Sequence, residues 1–167
     1  GVTEYYEAAK ILKAKGLEAE FYFIGGLDSN YPSEIPEKEL LKWEKSDVVK
    51  FLGYRDDIKI LFHKSSIVVL PSYREGFPKV LQEAAACGRP VITSDVPGCR
   101  EAVKDGLTGF LISPKDPEAL AGKIEYLLEN KDLLEKMGRE ARKFAEKEFS
   151  SDKVVNKHLK IYEDLLR

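Results

Sequence analysis

Ile67, Val68, Val69 and Leu70 form an unbroken apolar run, so a strand built from them has no polar side to turn toward water. Such a strand is covered on both faces, which places it inside a parallel sheet with helices on either side. Other short runs read the same way. Phe21 to Ile24 is stopped by Gly25 and Gly26, Val48 to Leu52 is closed by Gly53, and Val91 to Thr93 and Phe110 to Ile112 follow. Helical patterns lie between them. Tyr5, Ala8, Ala9 and Leu12 recur at three- and four-residue spacing and predict a helix ended by Gly16. A polar loop with Pro32 and Pro36 precedes a helix over Glu37 to Glu44. Asp56 opens another that runs to about Lys64, with Ile58, Leu61 and Phe62 facing inward. Pro78 to Cys87 and a short piece near Gly98 to Val103 complete the alternation. Strands and helices in this order imply α/β architecture with right-handed crossovers.

From about Asp116 the pattern is helical only. Leu120, Ile124, Leu127 and Leu128 form one apolar stripe, Leu134, Met137, Ala141 and Phe144 a second, and Val154, Val155, Leu159, Tyr162 and Leu166 mark a last helix. Residues 1–167 therefore read as one domain whose part from 116 to 167 is a helical C-terminal region. A doubly wound sheet opens on a central strand, whereas this chain opens on a helix. The first strand and first loop are thus expected to lie outside this sequence.

Composition excludes several classes. Hydrophobic residues make up 43% and charged residues 34%, as in soluble globular domains. No run approaches the roughly 18 apolar residues of a membrane span. The N-terminus is amphipathic rather than a signal peptide, and a net charge of −2 gives no reason to expect nucleic acid. Cys87 and Cys99 have no metal-ligand spacing. Cys87 is expected to pack as a small apolar residue at a helix end and Cys99 to fall in a loop. Reduced thiols and a cytoplasmic location follow from this usage. His63 and His158 have no catalytic partners at useful spacing and read as structural and solvent-facing respectively. Tyr5, Tyr6, Phe21 and Phe23 read as core.

Chemistry concentrates between Pro71 and Gly109, where strand, glycine-bearing loop, helix and strand succeed one another. A helix N-terminus presents unpaired N–H groups and a partial positive charge, which suits a diphosphate. Here the free donors are the amides of Gly76, Phe77, Lys79 and Val80, while Pro78 has no N–H to lose and suits the first turn. Glu75 and Glu83 stand eight positions apart across that junction. Carboxylates repel phosphate but accept from sugar and ribose hydroxyls. Together they suit a ligand with both phosphates and hydroxyls, a nucleotide sugar. The plainer alternative for Glu83 is an ion pair with Lys79 one turn earlier. Gly98 is either an ordinary turn glycine or close to the donor, and Glu101 either caps or lines the cleft.

EGFPKVLQE, with FLGYRDDI before it and EAAACGRPVITSDVPGCREAVKDGLTGFL after it, resembles the E-x7-E region of retaining glycosyltransferases of family 4. The likeness covers essentially the whole chain. It implies the Rossmann-like, three-layer αβα C-terminal domain of the GT-B fold, with strand order 3-2-1-4-5-6 and the first strand lacking here. On that count Phe21 to Ile24 is strand 2 and Ile67 to Leu70 is strand 4, so the two either pair directly or flank a gap. It further implies that Glu75 contacts donor-sugar hydroxyls, Glu83 the ribose, and the backbone of Gly76, Phe77, Pro78, Lys79 and Val80 the diphosphate and sugar. Gly53, Tyr54 and Arg55 would border the base, with Lys79 and Arg55 as helpers at the phosphates. The implied activity is retaining transfer from an NDP-sugar, a UDP-sugar first, to a glycan or lipid-linked acceptor in surface polysaccharide synthesis, without a metal or other cofactor. The acceptor-binding N-terminal domain is absent from the resemblance, so the isolated chain is expected to be inactive. The whole protein is expected at the cytoplasmic face of the inner membrane as a peripheral protein. Two other readings are a GT-B nucleotide-sugar epimerase and a non-catalytic nucleotide-sugar-binding module.

Overall fold

The computed structural model describes residues 1–26 and 35–166; the polar loop with Pro32 lies outside the described residues. The chain runs α1 (Val2–Ala14), β1 (Tyr22–Phe23), α2 (Glu37–Lys45), β2 (Lys50–Phe51), α3 (Ile58–Lys64), β3 (Val68–Leu70), α4 (Lys79–Ala86), β4 (Val91–Ser94), α5 (Cys99–Ala102) and β5 (Gly109–Ile112). Three helices follow: α6 (Pro117–Glu129), α7 (Lys131–Glu148) and α8 (Ser151–Leu165). Each apolar run of the sequence is a strand; the first three are shorter than their runs, while β4 and β5 each gain a residue through their mutual pairing.

All pairing is parallel. β1 pairs with β2, with Tyr22 opposite Lys50, and β3, β4 and β5 form a separate sheet in that order, with Val68 opposite Val91 and Ile92 opposite Phe110. No backbone pairing joins β1 to β3 among the described residues, so the sheet is split at the place the strand count anticipates. Side chains bridge the split. One core cluster holds Phe21, Phe23, Ile67 and Val69 together with Ala8, Ala9 and Leu12 of α1.

The layers are visible in the alternation along β4 and β5. Ile92, Phe110 and Ile112 join the cluster containing α1 and α6, whereas Val91 and Leu111 join the opposite one with α3, α4 and α5. Successive strand residues point to opposite faces, so a sheet covered on both sides must be apolar throughout. Leu12, Leu81 and Leu120 are fully buried, and truncating any of them to Ala costs about 2–5 kcal/mol. Helices α6 and α7 use the predicted stripes, with Leu120, Ile124, Leu127, Met137 and Ala141 buried.

Three expectations need amendment. Cys99 is not in a loop: it is the first residue of α5 and is fully buried. Burial pushes its thiol pKa up, with Glu75 and Glu101 adding to the rise and a hydrogen bond with Thr93 opposing it. The cap of α3 is Asp57 rather than Asp56. His63 is exposed rather than packed. The last helix forms as predicted, yet none of its residues is buried. Val154, Val155, Leu159 and Tyr162 are all about half exposed, at 46–58%.

Candidate functional site

The site is built where β3 hands over to α4. Thr93 of β4 donates from Oγ1 to the carbonyl of Leu70 at 2.6 Å, which pins the last residue of β3. The start of α1 closes on the same point. A Cβ on Gly1 would overlap the Pro71 carbonyl, so only glycine lets helix and strand end meet there.

The segment after Pro71 is held from two sides. Ser72 Oγ donates to Glu75 Oε1 at 2.6 Å, while Tyr73 donates its hydroxyl proton to Glu4 of α1. Beneath Glu75 and Gly76 lies Gly98, whose φ is +85°. A Cβ there would sit 2.6 Å from the Glu75 carbonyl and collide with that of Gly76. Both requirements, the left-handed backbone and the close approach, exclude other residues. Glu101 accepts from the Gly98 N–H at 2.6 Å and so caps α5. Gly98 is thus the floor of the Glu75 loop.

Helix α4 begins with Pro78 as its N-cap residue, and no side chain caps it. The amides of Gly76, Phe77, Lys79 and Val80 have no protein acceptor among the described residues. Four donors are therefore left open in the loop and first turn, at the positive end of the helix dipole. Glu75 keeps Oε2 unengaged among the described residues, since its single bond uses Oε1. The carbonyl of Phe77 accepts from Gln82 Nε2 at 3.3 Å, tying the loop to the helix it starts. The Phe77 ring is 46% exposed and meets Phe149 edge-on at 5.5 Å.

Glu83 projects from the exposed face of α4. It forms no ion pair with Lys79, so the plainer reading of this carboxylate does not describe the molecule. With Lys79, Gln82, Phe149 and Ser150 it lines an open hollow of about 550 Å³ between α4 and the α7–α8 junction. Glu75 is not among the residues lining that hollow; its surroundings are Ser72 and the Gly98 floor.

The Gly53–Tyr54–Arg55 turn follows β2 as the Glu75 loop follows β3. The Gly25 N–H donates to the Gly53 carbonyl at 2.9 Å, and Gly53 has a φ of +64°. Tyr54 is 80% exposed. Arg55 is engaged by its neighbour, with Nε and Nη2 donating to the two oxygens of Asp57 at 2.8 and 2.7 Å. That pairing raises the arginine and lowers the aspartate pKa. Among the described residues no group of three His, Cys, Asp or Glu side chains is placed to hold a metal ion.

Ser72, Tyr73 and Glu4 were not singled out by the sequence. The S-x-x-E spacing of Ser72 and Glu75 was a usable local signal, since it matches an oxygen-to-oxygen reach of one turn. The bond between Tyr73 and Glu4 spans 69 positions and leaves no local trace.

Known proteins share this sequence pattern and fold. The family described as glycosyl transferases group 1 matches residues 1–144. The N,N'-diacetylbacillosaminyl-diphospho-undecaprenol alpha-1,3-N-acetylgalactosaminyltransferase of Campylobacter jejuni is 36% identical over 100% of this chain, which covers 42% of that protein. Among solved structures, the sucrose-phosphate synthase of Thermosynechococcus elongatus superposes with a TM-score of 0.84 at 27% identity, over 98% of this chain and 42% of that one. HepE of Anabaena, solved with UDP-glucose, gives a TM-score of 0.70 at 26% identity, over 95% of this chain and 52% of that one. The chain spans about half or less of the length of each.

Proposed function

This chain belongs to the glycosyl transferases group 1, and from that premise we propose that it is the part of a retaining sugar transferase that holds the nucleotide-sugar donor. The observation that carries the reading is the set of four acceptor-less amides at the start of α4, placed beside a carboxylate with one oxygen open. A diphosphate fits the amides and the helix dipole. A sugar hydroxyl fits Glu75 Oε2, and ribose hydroxyls fit Glu83 on the next turn. The Gly53–Tyr54–Arg55 turn offers a border for the base. UDP is the first choice of nucleotide, supported by the likeness to HepE, which was solved with UDP-glucose.

In the transfer step negative charge grows on the departing diphosphate. Preorganised N–H donors aimed at that charge lower the barrier without reorganising, and this chain supplies them from Gly76 to Val80. No resident cofactor enters this reading, because the countercharge comes from backbone and helix. The acceptor, a glycan or lipid-linked sugar, would dock on a second part of the longer protein. The lipid-diphosphate substrate in the name of the Campylobacter relative supports that class of acceptor. Without that part the isolated chain is a binder and not a catalyst. The longer protein then works in surface polysaccharide synthesis at the cytoplasmic membrane face.

Calorimetry with UDP, GDP and ADP, on wild type and on Glu83→Ala, tests the proposal. Tightest binding of UDP, weakened in Glu83→Ala and unchanged by EDTA, is the expected result. Equal heats for wild type and variant would remove Glu83 from the site, and no binding of any nucleotide would remove the site itself.

A further inference from the structure

Two hydrogen bonds from adjacent residues stand behind Glu75, one to Glu75 itself and one that ties the next residue to α1, and its donor-contacting role alone does not require them. Glu75 Oε1 accepts the Ser72 proton at 2.6 Å, so the carboxylate has one oxygen committed and one aimed elsewhere. A hydroxyl has a single proton to give, and here it is spent on that oxygen. Ser72 is joined by one peptide bond to Tyr73, whose hydroxyl donates to Glu4 Oε1 in the first turn of α1. Glu4 is a poor candidate for a merely solvated charge. Its side chain is only 13% exposed, and its Oε2 is buried without a hydrogen-bond partner among the described residues, 4.0 Å from the Gly1 nitrogen. A buried carboxylate is costly unless held, so its contact with Tyr73 has a structural consequence. Above the Tyr73 ring stands the Lys115 ammonium at 5.2 Å from its centre, carried by a residue with φ of +61°. The α1 start is itself wedged against Pro71, the residue before Ser72. Three separate elements, α1, the β3–α4 segment and the β5–α6 loop, thus converge on Tyr73.

We propose that Ser72 and Tyr73 are positioning residues, anchored through Glu4, that fix the rotamer of Glu75 and so make the site prefer a sugar-bearing nucleotide over the bare one. The inference rests on the donor-site reading above and deepens it. Glu75 is the group assigned to the sugar, whereas Glu83 and the α4 amides serve the nucleotide. Loosening either anchor therefore weakens the sugar-dependent part of binding and spares the rest. Freeing one long side chain that binding must then immobilise corresponds to about a 3- to 10-fold loss of preference.

The experiment measures the dissociation constants of UDP, UDP-glucose and UDP-N-acetylgalactosamine by calorimetry, on the whole 167-residue chain. Variants are Ser72→Ala, Tyr73→Phe and, as the conservative rescue, Ser72→Thr. Expected is UDP affinity within about twofold of wild type throughout. The preferred sugar nucleotide loses its advantage over UDP in Ser72→Ala and Tyr73→Phe, and regains it in Ser72→Thr. An unchanged preference in both variants overturns the inference while leaving the donor site standing. So does an equal loss for UDP and the sugar nucleotides, which marks general damage to the loop; a matching drop in melting temperature identifies it. Wild type that binds none of the three defeats the donor-site reading and the inference with it.

Discussion

The loop after β3 and the turn after β2 are assigned to one ligand, and they are built in opposite ways. The Glu75 loop rests on a glycine floor, is bonded internally through Ser72, and is fastened to α1 through Tyr73 and Glu4. Its sheet is three strands wide, with all of β4 buried. The Gly53–Tyr54–Arg55 turn hangs from a two-residue strand in a two-stranded sheet, and Tyr54 is 80% exposed. Among the described residues its hydrogen bonds are one backbone bond from Gly25 and the pairing of Arg55 with Asp57 at the start of α3. The difference separates what must be exact from what need only be near. A group that faces developing charge and sugar stereochemistry needs a fixed position, because misplacement costs rate and selectivity. A border for a planar base can close around its ligand after arrival.

The sharpest way to break this contrast is Gly98→Ala. The added methyl has to occupy space taken by the Glu75 and Gly76 carbonyls, at a φ of +85°. A loss of about 2–4 kcal/mol is expected, read by urea unfolding, together with loss of nucleotide binding. A stable, binding Gly98→Ala variant would show that the floor is dispensable. Next in size is Glu83→Ala. One hydrogen bond to a charged group is worth about 1.5–3 kcal/mol, so UDP affinity falls by one to two powers of ten while thermal stability holds. Smaller is the effect of alkylation. Cys99 lies buried under the firm wall with its thiol pKa raised, so it stays protonated at neutral pH and resists iodoacetamide. Cys87, partly exposed, is modified first, as mass spectrometry of the native chain will read. Least of all is Tyr54→Ala, which leaves the melting temperature where it was, because the ring is in water. A large drop would mean that the turn is as firmly built as the loop.

The contrast also marks what the chain tells in advance. Ile67 to Leu70 and Val91 to Thr93 declare a two-sided sheet through hydrophobicity alone, and the structure places them side by side as β3 and β4. Counting strands located the irregularity between β1 and β3 but left direct pairing and a gap equally open, and the structure shows the gap among the described residues. The open amides at Gly76 to Val80 were legible too, since a proline-marked helix start always leaves donors over. What stayed hidden depends on distant parts meeting. Gly98 lies more than twenty positions from the carbonyls it touches, and Glu4 far from Tyr73; no period or local spacing encodes such encounters. The short helix near Gly98 to Val103 is legible and forms as α5, but its four residues carry too little apolar rhythm to show that Cys99 is buried in it. The missing Lys79–Glu83 pair teaches a related lesson. Correct spacing on a helix permits an ion pair and does not oblige one.

Helix α8 keeps its shape with none of its 15 residues buried. Helices of that length are marginal in water when nothing packs against them. Its amide hydrogens will therefore exchange with deuterium through fraying of that segment alone, minutes or hours before those of β4 open. A protease given brief access should trim the chain near Ser150 and leave the sheet whole.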